Sequence, residues 1–419
     1  MTRDTLACGF LLFLVTGLCS PIAAQERQLL VGTAKLELTP PVKTPLAGYS
    51  RRRGRLATGV HDPPFVRAVV LRSRSTTVAL ASCDLLIIDE HLFEAVAERV
   101  NAAFSQEPFV LLITATHTHS GPGAYGKTFL EKLSMGHFDP RVFEFLAKQI
   151  AQAILDASAQ MQPATTRYAT ASTTGLVANR MRPEGVVDPD VAVCALYDQH
   201  ERPVAVIVQF GAHPTTLGSW NRELSADYPG VLTRALEERD PSVMCLFVAG
   251  AVGDQAPVKT GEGFEPSQRI GKALAALVGT LLEERPPDEG PEMDIIKSQQ
   301  RTVPLPQGRI RAGSFRLPGW ISRLLVDDDA TLTVIRVGNV LMMGLPCDVS
   351  AELGLELKRS AREAGYRPLL VGFANDYIGY CLPEHLYWTD TYEASMAFNG
   401  PTTGPMLVET LKQMIDAVR

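Results

Sequence analysis

The chain has 419 residues and a formal net charge of −6, and 46% of its residues are hydrophobic while 21% are charged. The mildly acidic charge argues against a nucleic-acid partner, which would require a basic surface. The length is sufficient for one large domain or two ordinary ones. No internal repeat is visible, and nothing in the sequence marks a domain boundary.

Residues 1–24 have the pattern of a secretory signal, with an apolar run at about 6–18 and a small-residue stretch that ends at Ala24. We therefore predict cleavage after Ala24 and an exported protein, periplasmic or extracellular, whose fold occupies residues 25–419. The apolar run is shorter than the roughly 20 residues of a membrane span, and no later run reaches that length. A lipid anchor on Cys19 is disfavoured, because the leucine before it replaces the small residue that such a signal needs.

Seven cysteines are present, and two of them belong to the predicted signal. The remaining five are widely spaced and form no Cys-x-x-Cys pair, which argues against a disulfide scaffold or a cysteine metal site. One disulfide bridge in an oxidising compartment stays open. The five are Cys83, Cys194, Cys245, Cys347 and Cys381.

Short apolar runs that end in polar or glycine-rich turns predict buried strands, and segments with helical spacing lie between them. The predicted strands are residues 65–71, 77–86, 109–116, 204–210, 243–248, 332–345 and 368–373. The predicted helices are residues 90–104, 140–161, 229–239, 266–284, 351–363 and 404–418. This alternation predicts an α/β fold, with a central mixed sheet or sheets flanked by helices and the site at strand ends.

The strand at 109–116 runs into a Gly/Pro turn that contains His117 and His119. The two-residue period of a strand places both imidazoles on one face. Such a pair suits a metal ligand beside a second imidazole that acts as acid or base. The motif alone leaves open an alternative, in which the two histidines are merely hydrogen-bonded at a strand end.

His213 follows the predicted strand at 204–210. A lone histidine is more often structural than a metal ligand. However, the chain has only eight histidines, and three of them lie at the ends of strongly apolar strands. This convergence favours a metal site.

Two aspartates and several tyrosines also lie close to strand ends. Asp254 belongs to a Gly-Asp turn, and Asp348 lies between a strand and the start of a helix. Each aspartate fits either a role in the site or the capping of a turn or helix. Tyr377, Tyr380 and Tyr392 follow the last predicted strand, where tyrosines usually serve packing.

Taken in order, these segments resemble the catalytic domain of the neutral/alkaline ceramidase family. The most specific matches are the Thr-His-Thr-His-Ser-Gly-Pro-Gly turn at 116–123 and the tyrosine-rich block that ends at 392–395. An Asn-Arg pair at 179–180 and an opening segment at 30–40 agree with the family through their order. The resemblance covers roughly residues 29–419.

The resemblance implies a zinc-dependent amide hydrolase with one Zn²⁺ per chain. Matched position by position, it implies that the zinc ligands are His117, His213, Asp348 and Tyr380, two nitrogen and two oxygen donors. The residues that flank the zinc and act on substrate are then His119, Arg180 and Tyr392. We add Asp254 of the Gly-Asp turn to these candidate catalytic residues.

Three features depart from the family pattern. Asp348 replaces a glutamate ligand and is one methylene shorter, so Glu352, one helical turn further on, is an alternative ligand. Ala256 replaces a serine that is often assigned a catalytic role, which excludes a serine nucleophile at that position. The chain also stops with the catalytic domain, whereas many relatives continue into an immunoglobulin-like domain.

Two classes of function follow from these residues. The first is a zinc hydrolase that cleaves the amide bond of an N-acylated, ceramide-like lipid with a metal-activated water. An esterase, or an amidase for a non-lipid substrate, stays open within this class. The second is a catalytically impaired zinc-binding protein that holds an acyl-amide ligand, as Ala256 and Asp348 suggest. His119, Arg180 and Tyr392 favour the enzyme, because a binding protein needs no acid–base groups beside its metal.

An apolar stretch at 315–325 is followed by acidic residues at 327–329. This pattern fits either a lipid-facing rim that contacts a membrane peripherally or a buried turn of helix. We expect the buried turn, because apolar stretches of this length are more often buried.

Overall fold

The computed structural model describes residues 29–419, except residues 75, 106, 288–294 and 313–314 and the side chains of 312, 315 and 316. The predicted signal at 1–24 lies outside the described residues. None of the described helices has the length and apolar character that are needed to cross a membrane. All five cysteines of this part are buried and free, so the disulfide that the sequence left open is not formed.

The strands are β1 (Leu29–Glu37), β2 (Gly59–Val60), β3 (Phe65–Arg72), β4 (Thr77–Cys83), β5 (Phe109–Ala115), β6 (Gln162–Ser172), β7 (Val177–Asn179), β8 (Asp190–Tyr197), β9 (Pro203–Phe210), β10 (Glu223–Leu224), β11 (Met244–Ala249), β12 (Gln255–Pro257), β13 (Ile296–Pro304), β14 (Arg311–Ala312), β15 (Phe315–Arg316), β16 (Asp329–Val337), β17 (Val340–Gly344), β18 (Asp348–Val349), β19 (Arg367–Val371) and β20 (Tyr380–Cys381). The helices are α1 (Glu90–Asn101), α2 (Phe129–Met135), α3 (Pro140–Ser158), α4 (Asp227–Arg239), α5 (Glu265–Glu283), α6 (Gly319–Ser322), α7 (Ala351–Glu363), α8 (Glu384–Tyr387), α9 (Tyr392–Ser395) and α10 (Thr403–Ala417).

The larger of the two main sheets has eight strands in the order β11-β9-β8-β6-β1-β3-β4-β5. Its neighbouring strands are antiparallel except for two parallel pairs, β4 with β5 and β9 with β11. Alternate side chains enter two different cores: Val66 and Val70 of β3 pack with the helices, whereas Val69 and Leu71 pack with the second sheet. The strand is therefore apolar on both faces, which explains its continuous apolar run.

The smaller sheet has four strands in the order β13-β16-β17-β19 and packs on the larger one. Ile335 and Met342 face the larger sheet, while Leu332 and Leu341 pack with α7 and α10 on the opposite side. Helices α1, α3, α4 and α5 cover the outer face of the larger sheet. These four layers, helix–sheet–sheet–helix, confirm the predicted α/β fold with mixed sheets flanked by helices.

The larger sheet curls, so that β11 at one edge approaches β3, β4 and β5 at the other. The hydroxyl of Ser82 in β4 donates a hydrogen bond of 2.5 Å to the carbonyl oxygen of Phe247 in β11. Loops that follow β4, β5, β9 and β11 consequently meet, and loops after β17 and β19 join them. These loops carry the candidate site residues.

Most predicted strands and helices are confirmed to within a few residues, and α7 has the predicted bounds. The single strand predicted across 332–345 is wrong, because Gly338, at a φ of 58°, turns the chain and makes a hairpin of β16 and β17. Strands β6, β8 and β13 were also not predicted from the sequence. Polar residues interrupt the apolar pattern of β6 and β13, which weakens their strand signal.

The apolar stretch at 315–325 does not form the buried turn that the sequence analysis preferred. Trp320 is 68% exposed and Leu324 is 76% exposed. Helix α6 has only four residues and buries one side, with Ser322 as its fully buried member. Trp320 and Leu324 therefore remain on the solvent side.

Candidate metal centre

Three histidines converge where the loops after β5 and β9 meet. The Nε2 atom of His117 is 2.9 Å from Nε2 of His213 and 3.2 Å from Nε2 of His119. The corresponding distance between His119 and His213 is 3.0 Å. Within the described ranges, this is the only group of three or more His, Cys, Asp or Glu residues whose donor atoms all lie within 4.8 Å of one another.

A turn, not strand periodicity, pairs His117 with His119. Strand β5 ends at Ala115, and His117 adopts a left-handed backbone conformation with a φ of 64°. This conformation is uncommon for a residue with a side chain and is typical of functional sites. The two imidazoles therefore come together through a turn, and the strand period that was predicted to pair them is wrong as the reason.

Backbone carbonyl groups fix the tautomers of two of these histidines. Nδ1 of His117 lies 2.6 Å from the carbonyl oxygen of Leu86, and Nδ1 of His213 lies 3.4 Å from that of Val252. A carbonyl oxygen only accepts hydrogen bonds, so Nδ1 carries the proton and Nε2 presents its lone pair to the centre. His119 differs, because its Nδ1 makes no regular hydrogen bond among the described residues and has only a poorer contact with the backbone of Gly48.

The three imidazoles are neutral at neutral pH. Burial lowers the pKa of His117 to about 3, and it lowers the pKa values of His119 and His213 well below the ordinary value for histidine. Neutral imidazoles are the form that binds metal ions. The centre is thus ready to accept a cation without first losing protons from these rings.

Asp348 supplies a carboxylate to the same centre. Its Oδ1 lies 3.6 Å from Nε2 of His117 and 3.6 Å from Nδ1 of His213, and it has no hydrogen-bond partner within the described chain. Its Oδ2 accepts a 2.7 Å hydrogen bond from the hydroxyl of Tyr377. Burial raises the pKa of Asp348 to about 7, although Tyr377 and Arg180 oppose the rise. A fully buried oxygen without a partner, near the Nε2 lone pair of His117, fits a bound cation.

The alternative carboxylate, Glu352, lies away from the histidines. Its side chain is 41% exposed and its Oε2 is 3.5 Å from Nε2 of His385 at the surface. Asp348 pairs directly with Tyr380 across the short β18–β20 ladder. The geometry therefore favours Asp348 over Glu352 as the carboxylate donor.

Arg180 organises the tyrosine side of the centre. Its guanidinium donates hydrogen bonds of 2.8 Å to the hydroxyl of Tyr380 and to the carbonyl oxygen of Gly253. Its Nε lies 2.8 Å from a carboxylate oxygen of Glu393. The rings of Tyr380 and Tyr392 meet edge to face with centroids 5.9 Å apart. These contacts bring Arg180, Tyr380 and Tyr392 together, as the resemblance implies.

Asp254 is buried beside the centre but does not line the cavity in front of it. Its carboxylate accepts a 2.7 Å hydrogen bond from the backbone amide of Ala351, at the start of α7, and a 3.0 Å bond from Nδ2 of Asn179. It therefore connects the segment before Arg180 to the helix that follows Asp348. The contacts correspond to the capping alternative and make Asp254 a positioning residue.

A cavity of about 520 Å³ opens in front of the centre. Its lining includes His117, His119, Tyr380 and Tyr392, and apolar side chains contributed mainly by α2 and by the segments before β16 and after β20. These apolar residues are Leu86, Ile87, Leu130, Leu133, Ile310, Leu325, Val326, Ile378, Met396 and Phe398. Ala256, which lies opposite Ala178 in the β7–β12 pair, is not part of this lining.

Three residues that sequence reasoning missed support the centre. Tyr377 holds Asp348, and Glu393 holds Arg180. Both lie within the tyrosine-rich block, so the motif itself was the available signal. Gly48 packs against the third histidine: at its φ of 105°, an added Cβ would lie 2.6 Å from Cγ of His119. No local pattern announces this long-range contact.

The donor set fits a divalent metal with mixed nitrogen and oxygen ligands. Imidazole nitrogens and a carboxylate oxygen are ligands typical of zinc, which binds them at roughly 2.0–2.2 Å. The small spacing of the three Nε2 atoms allows one ion to contact more than one ring. The orphaned Oδ1 of Asp348 completes such a set.

Comparisons with known proteins agree with this fold. Residues 29–303 match the family model described as neutral/alkaline non-lysosomal ceramidase, N-terminal. The chain is 21% identical to the neutral ceramidase of Pseudomonas aeruginosa, with 100% of this chain and 76% of that protein covered. It is 23% identical to the neutral ceramidase of Mycobacterium tuberculosis, with 89% and 74% covered.

The crystal structure of the Pseudomonas aeruginosa enzyme superimposes with a TM-score of 0.82 at 20% identity, over 94% of this chain and 74% of that one. A ceramidase complexed with C2 gives a TM-score of 0.83 at 19% identity. The four-layer fold is thus shared with a known class of proteins. The chain belongs to the neutral/alkaline non-lysosomal ceramidase family.

Proposed function

We propose that this protein is a zinc-dependent hydrolase that cleaves the amide bond of an N-acylated, ceramide-like lipid. The observation that carries the proposal is the convergence of three neutral imidazoles and an orphaned carboxylate oxygen beside a cavity that His117 and His119 line together with many apolar side chains. Family membership supports the reaction class. A zinc ion in this centre supplies Lewis acidity and lowers the pKa of a water molecule.

We assign the zinc ligands as His117, His213, Asp348 and Tyr380, with one ion per chain. Carbonyl groups orient the first two imidazoles, as is usual for metal ligands, whereas Nδ1 of His119 has only a poorer contact with the backbone of Gly48. His119 is therefore freer to change its protonation state, and it faces the cavity. We assign His119 the proton transfer from the attacking water to the leaving amine.

The hydroxyl of Tyr392 is the proposed donor to the oxyanion that develops on the scissile carbonyl. Tyr392 is 62% exposed and lines the cavity, so a substrate can reach it. Arg180 holds Tyr380 and leaves fewer donors for substrate than the resemblance implies. Its proposed role is to orient Tyr380 and, with its remaining N–H groups, a substrate oxygen.

A lipid substrate is supported by exposed apolar side chains around the cavity. Phe129 and Leu133 of α2 are 61% and 52% exposed, and Leu324, which precedes two lining residues, is 76% exposed. With Trp320, these side chains form an apolar rim. Exposed patches of this kind, next to a ligand cavity, mark lipid or protein contacts. We therefore retain peripheral membrane contact as part of the proposal.

The rim predicts weaker membrane binding when its apolar side chains become polar. The double change Trp320→Ser and Leu324→Ser should lower binding to phosphatidylcholine vesicles several-fold, because it removes apolar area that would enter the lipid. Val60→Ser, at another exposed apolar position, is the matched control. Equal vesicle sedimentation of all three proteins would remove the membrane contact from the proposal.

A binding protein without turnover is the second candidate. Ala256 motivates it, since the family serine is absent, and the shorter Asp348 does so as well. The experiment that separates the two measures hydrolysis of N-acyl sphingosines of several chain lengths by zinc-loaded and chelator-treated protein. Zinc-restored turnover supports the hydrolase. Binding of the lipid without turnover on any amide or ester supports the second candidate.

Export is proposed from the sequence pattern of residues 1–24. Expression of the full chain in a bacterium, followed by fractionation and N-terminal sequencing, tests it. A mature N-terminus at Gln25 in the exported fraction is the expected result. An uncleaved cytoplasmic product would contradict it.

A further inference from the structure

The cavity in front of the metal centre has a second, acidic wall. Five carboxylate residues from four segments line it, in addition to the histidines and tyrosines of the centre. They lie at the start of α1, in α2, before β16 and after β19. The five are Asp89, Glu90, Glu131, Asp327 and Asp376.

One member of this acidic wall has an oxygen without a partner. Asp89 is 4% exposed, and its Oδ1 caps α1 by accepting a 2.7 Å hydrogen bond from the amide of Leu92. Its Oδ2 is buried and has no hydrogen-bond partner among the described residues. A buried carboxylate oxygen without a hydrogen-bond partner destabilises the folded protein unless a donor or a cation contacts it.

The described residues supply little positive charge to the acidic wall. None of its five carboxylates makes an ion pair with a described residue. The Arg311 guanidinium, also in the lining, donates to the carbonyl oxygens of Ala394 and Tyr387. Lys127 attracts Asp89, but its ammonium stacks 4.2 Å from the ring centroid of Phe143. His91 lines the cavity as well.

The raised pKa values of two carboxyl groups in the acidic wall agree with a site for a cation. Burial, and then the neighbouring Glu131, raises the pKa of Asp89 to about 8. Burial, and then Asp327, raises the pKa of Asp376 to about 7. These carboxyl groups lack the compensating charge that would stabilise them as carboxylates.

The spacing of the carboxylates argues for an organic cation and against a second metal ion. In the described part of the chain, the three histidines are the only group of three or more His, Cys, Asp or Glu residues whose donor atoms all lie within 4.8 Å of one another, so the carboxylates of the acidic wall do not form such a group. A calcium ion would need several oxygens at roughly 2.3–2.6 Å. An ammonium group has three N–H donors and longer contacts, so it can join carboxylates that are further apart. The apolar lining beside them suits an alkyl chain.

We infer that the acidic wall binds the ammonium group of an aliphatic amine. The inference rests on the proposed function for its chemistry, because hydrolysis of an amide by water gives a carboxylate and an amine, and the proton released by the acid is taken up by the amine. The ammonium comes either from this product or from a substrate that already carries one. In both cases the acidic wall attracts the ammonium and repels the carboxylate product.

Binding of octylammonium and 1-octanol to zinc-loaded protein, measured by calorimetry at pH 7, tests the inference without requiring turnover. We expect octylammonium to bind at least tenfold more tightly than the alcohol. Asp89→Asn and Asp376→Asn should each reduce this preference about fivefold. Asparagine keeps the cap on α1, since it is as good an N-cap as aspartate. Glu94→Gln, an exposed change on α1, should leave the preference intact.

Hydrolysis of matched amides then identifies the source of the ammonium. A higher kcat/KM for N-octanoyl ethylenediamine than for N-octanoyl propylamine assigns it to the substrate. Equal values, with competitive inhibition by octylammonium, assign it to the product. Equal affinity for octylammonium and octanol, or an equal loss in Glu94→Gln, would overturn the inference. Calcium binding that Asp89→Asn abolishes would overturn it too. Absence of turnover alone would argue against the proposed function but would not change the conclusion from the binding measurement.

Discussion

At the scale of single residues, His119 is the one whose two candidate roles, metal ligand and proton carrier, are most clearly separated by substitution. Its Nε2 lies as close to the shared centre as those of His117 and His213, but its Nδ1 makes no regular hydrogen bond and has only a poorer contact with the backbone of Gly48. The proposed ligands and the proposed proton carrier therefore lie next to one another with similar Nε2 distances. Substitution separates the two roles, because losing a ligand releases metal and losing a proton carrier does not.

We predict that His119→Ala retains zinc and loses turnover by on the order of 10²-fold or more, as loss of a positioned acid–base group does. Zinc content, melting temperature and amide hydrolysis should be measured on one preparation. Ala256→Ser is the companion variant and should change turnover only modestly, since the proposed nucleophile is water. Loss of zinc from His119→Ala would instead make this histidine a ligand.

Asp89 gives a prediction about pH. Its pKa is raised to about 8 in the folded protein by burial and by Glu131, compared with about 3.9 in an unfolded chain. Below both pKa values Asp89 is protonated in both states, and its ionisation does not destabilise the folded state. As pH rises from about 4 to 8, ionisation of Asp89 increasingly favours the unfolded state. Asp89→Asn removes this penalty, so its stability advantage over the unmodified protein should grow with pH.

Urea unfolding at pH 5 and pH 8.5 measures the effect of Asp89→Asn. We expect the advantage of the variant to be larger at pH 8.5 by on the order of 2 kcal/mol, within the limit of about 1.4 kcal/mol per pH unit for one group. Glu94→Gln should show no such dependence. An equal difference at both pH values would mean that Asp89 does not titrate in this range.

At the scale of elements, Asp254 connects the end of β7 to the start of α7. It is 1% exposed and accepts hydrogen bonds from Ala351 and Asn179. We predict that Asp254→Ala lowers the free energy of unfolding by about 2–3 kcal/mol, because two buried donors lose their partner. Asp254→Asn should cost less, since it keeps an acceptor. Urea unfolding of both variants checks this order, and equal stability of the alanine and asparagine variants would contradict it.

The sequence predicted elements well where one face or both faces are continuously apolar, as in β3, β5 and β9. It failed at Gly338, because apolar residues on both sides of a tight turn form one unbroken run. It also failed at α6, where Trp320 and Leu324 are exposed. Hydrophobicity predicts burial only when a neighbouring element covers the side chain, and the sequence does not contain that information.

At the scale of the whole molecule, the curl of the larger sheet gathers the candidate residues. His117 follows β5 and His213 follows β9, which lie far apart in the strand order of the sheet. The sequence indicated each residue separately, from its position after an apolar strand and from the family resemblance. Their convergence to within 3.2 Å depends on tertiary contacts between the sheet edges. The acidic wall, assembled from four segments, had no signal in the sequence for the same reason.

Metal analysis of purified protein, with and without the His213→Ala change, tests the central claim most directly. The rings of His117 and His213 meet at 2.9 Å between Nε2 atoms, so removing one should collapse the centre. We predict about one zinc per chain in the unmodified protein and little or none in His213→Ala, with the fold retained by circular dichroism. Full zinc occupancy in the folded His213→Ala protein would contradict the metal centre proposed for this chain.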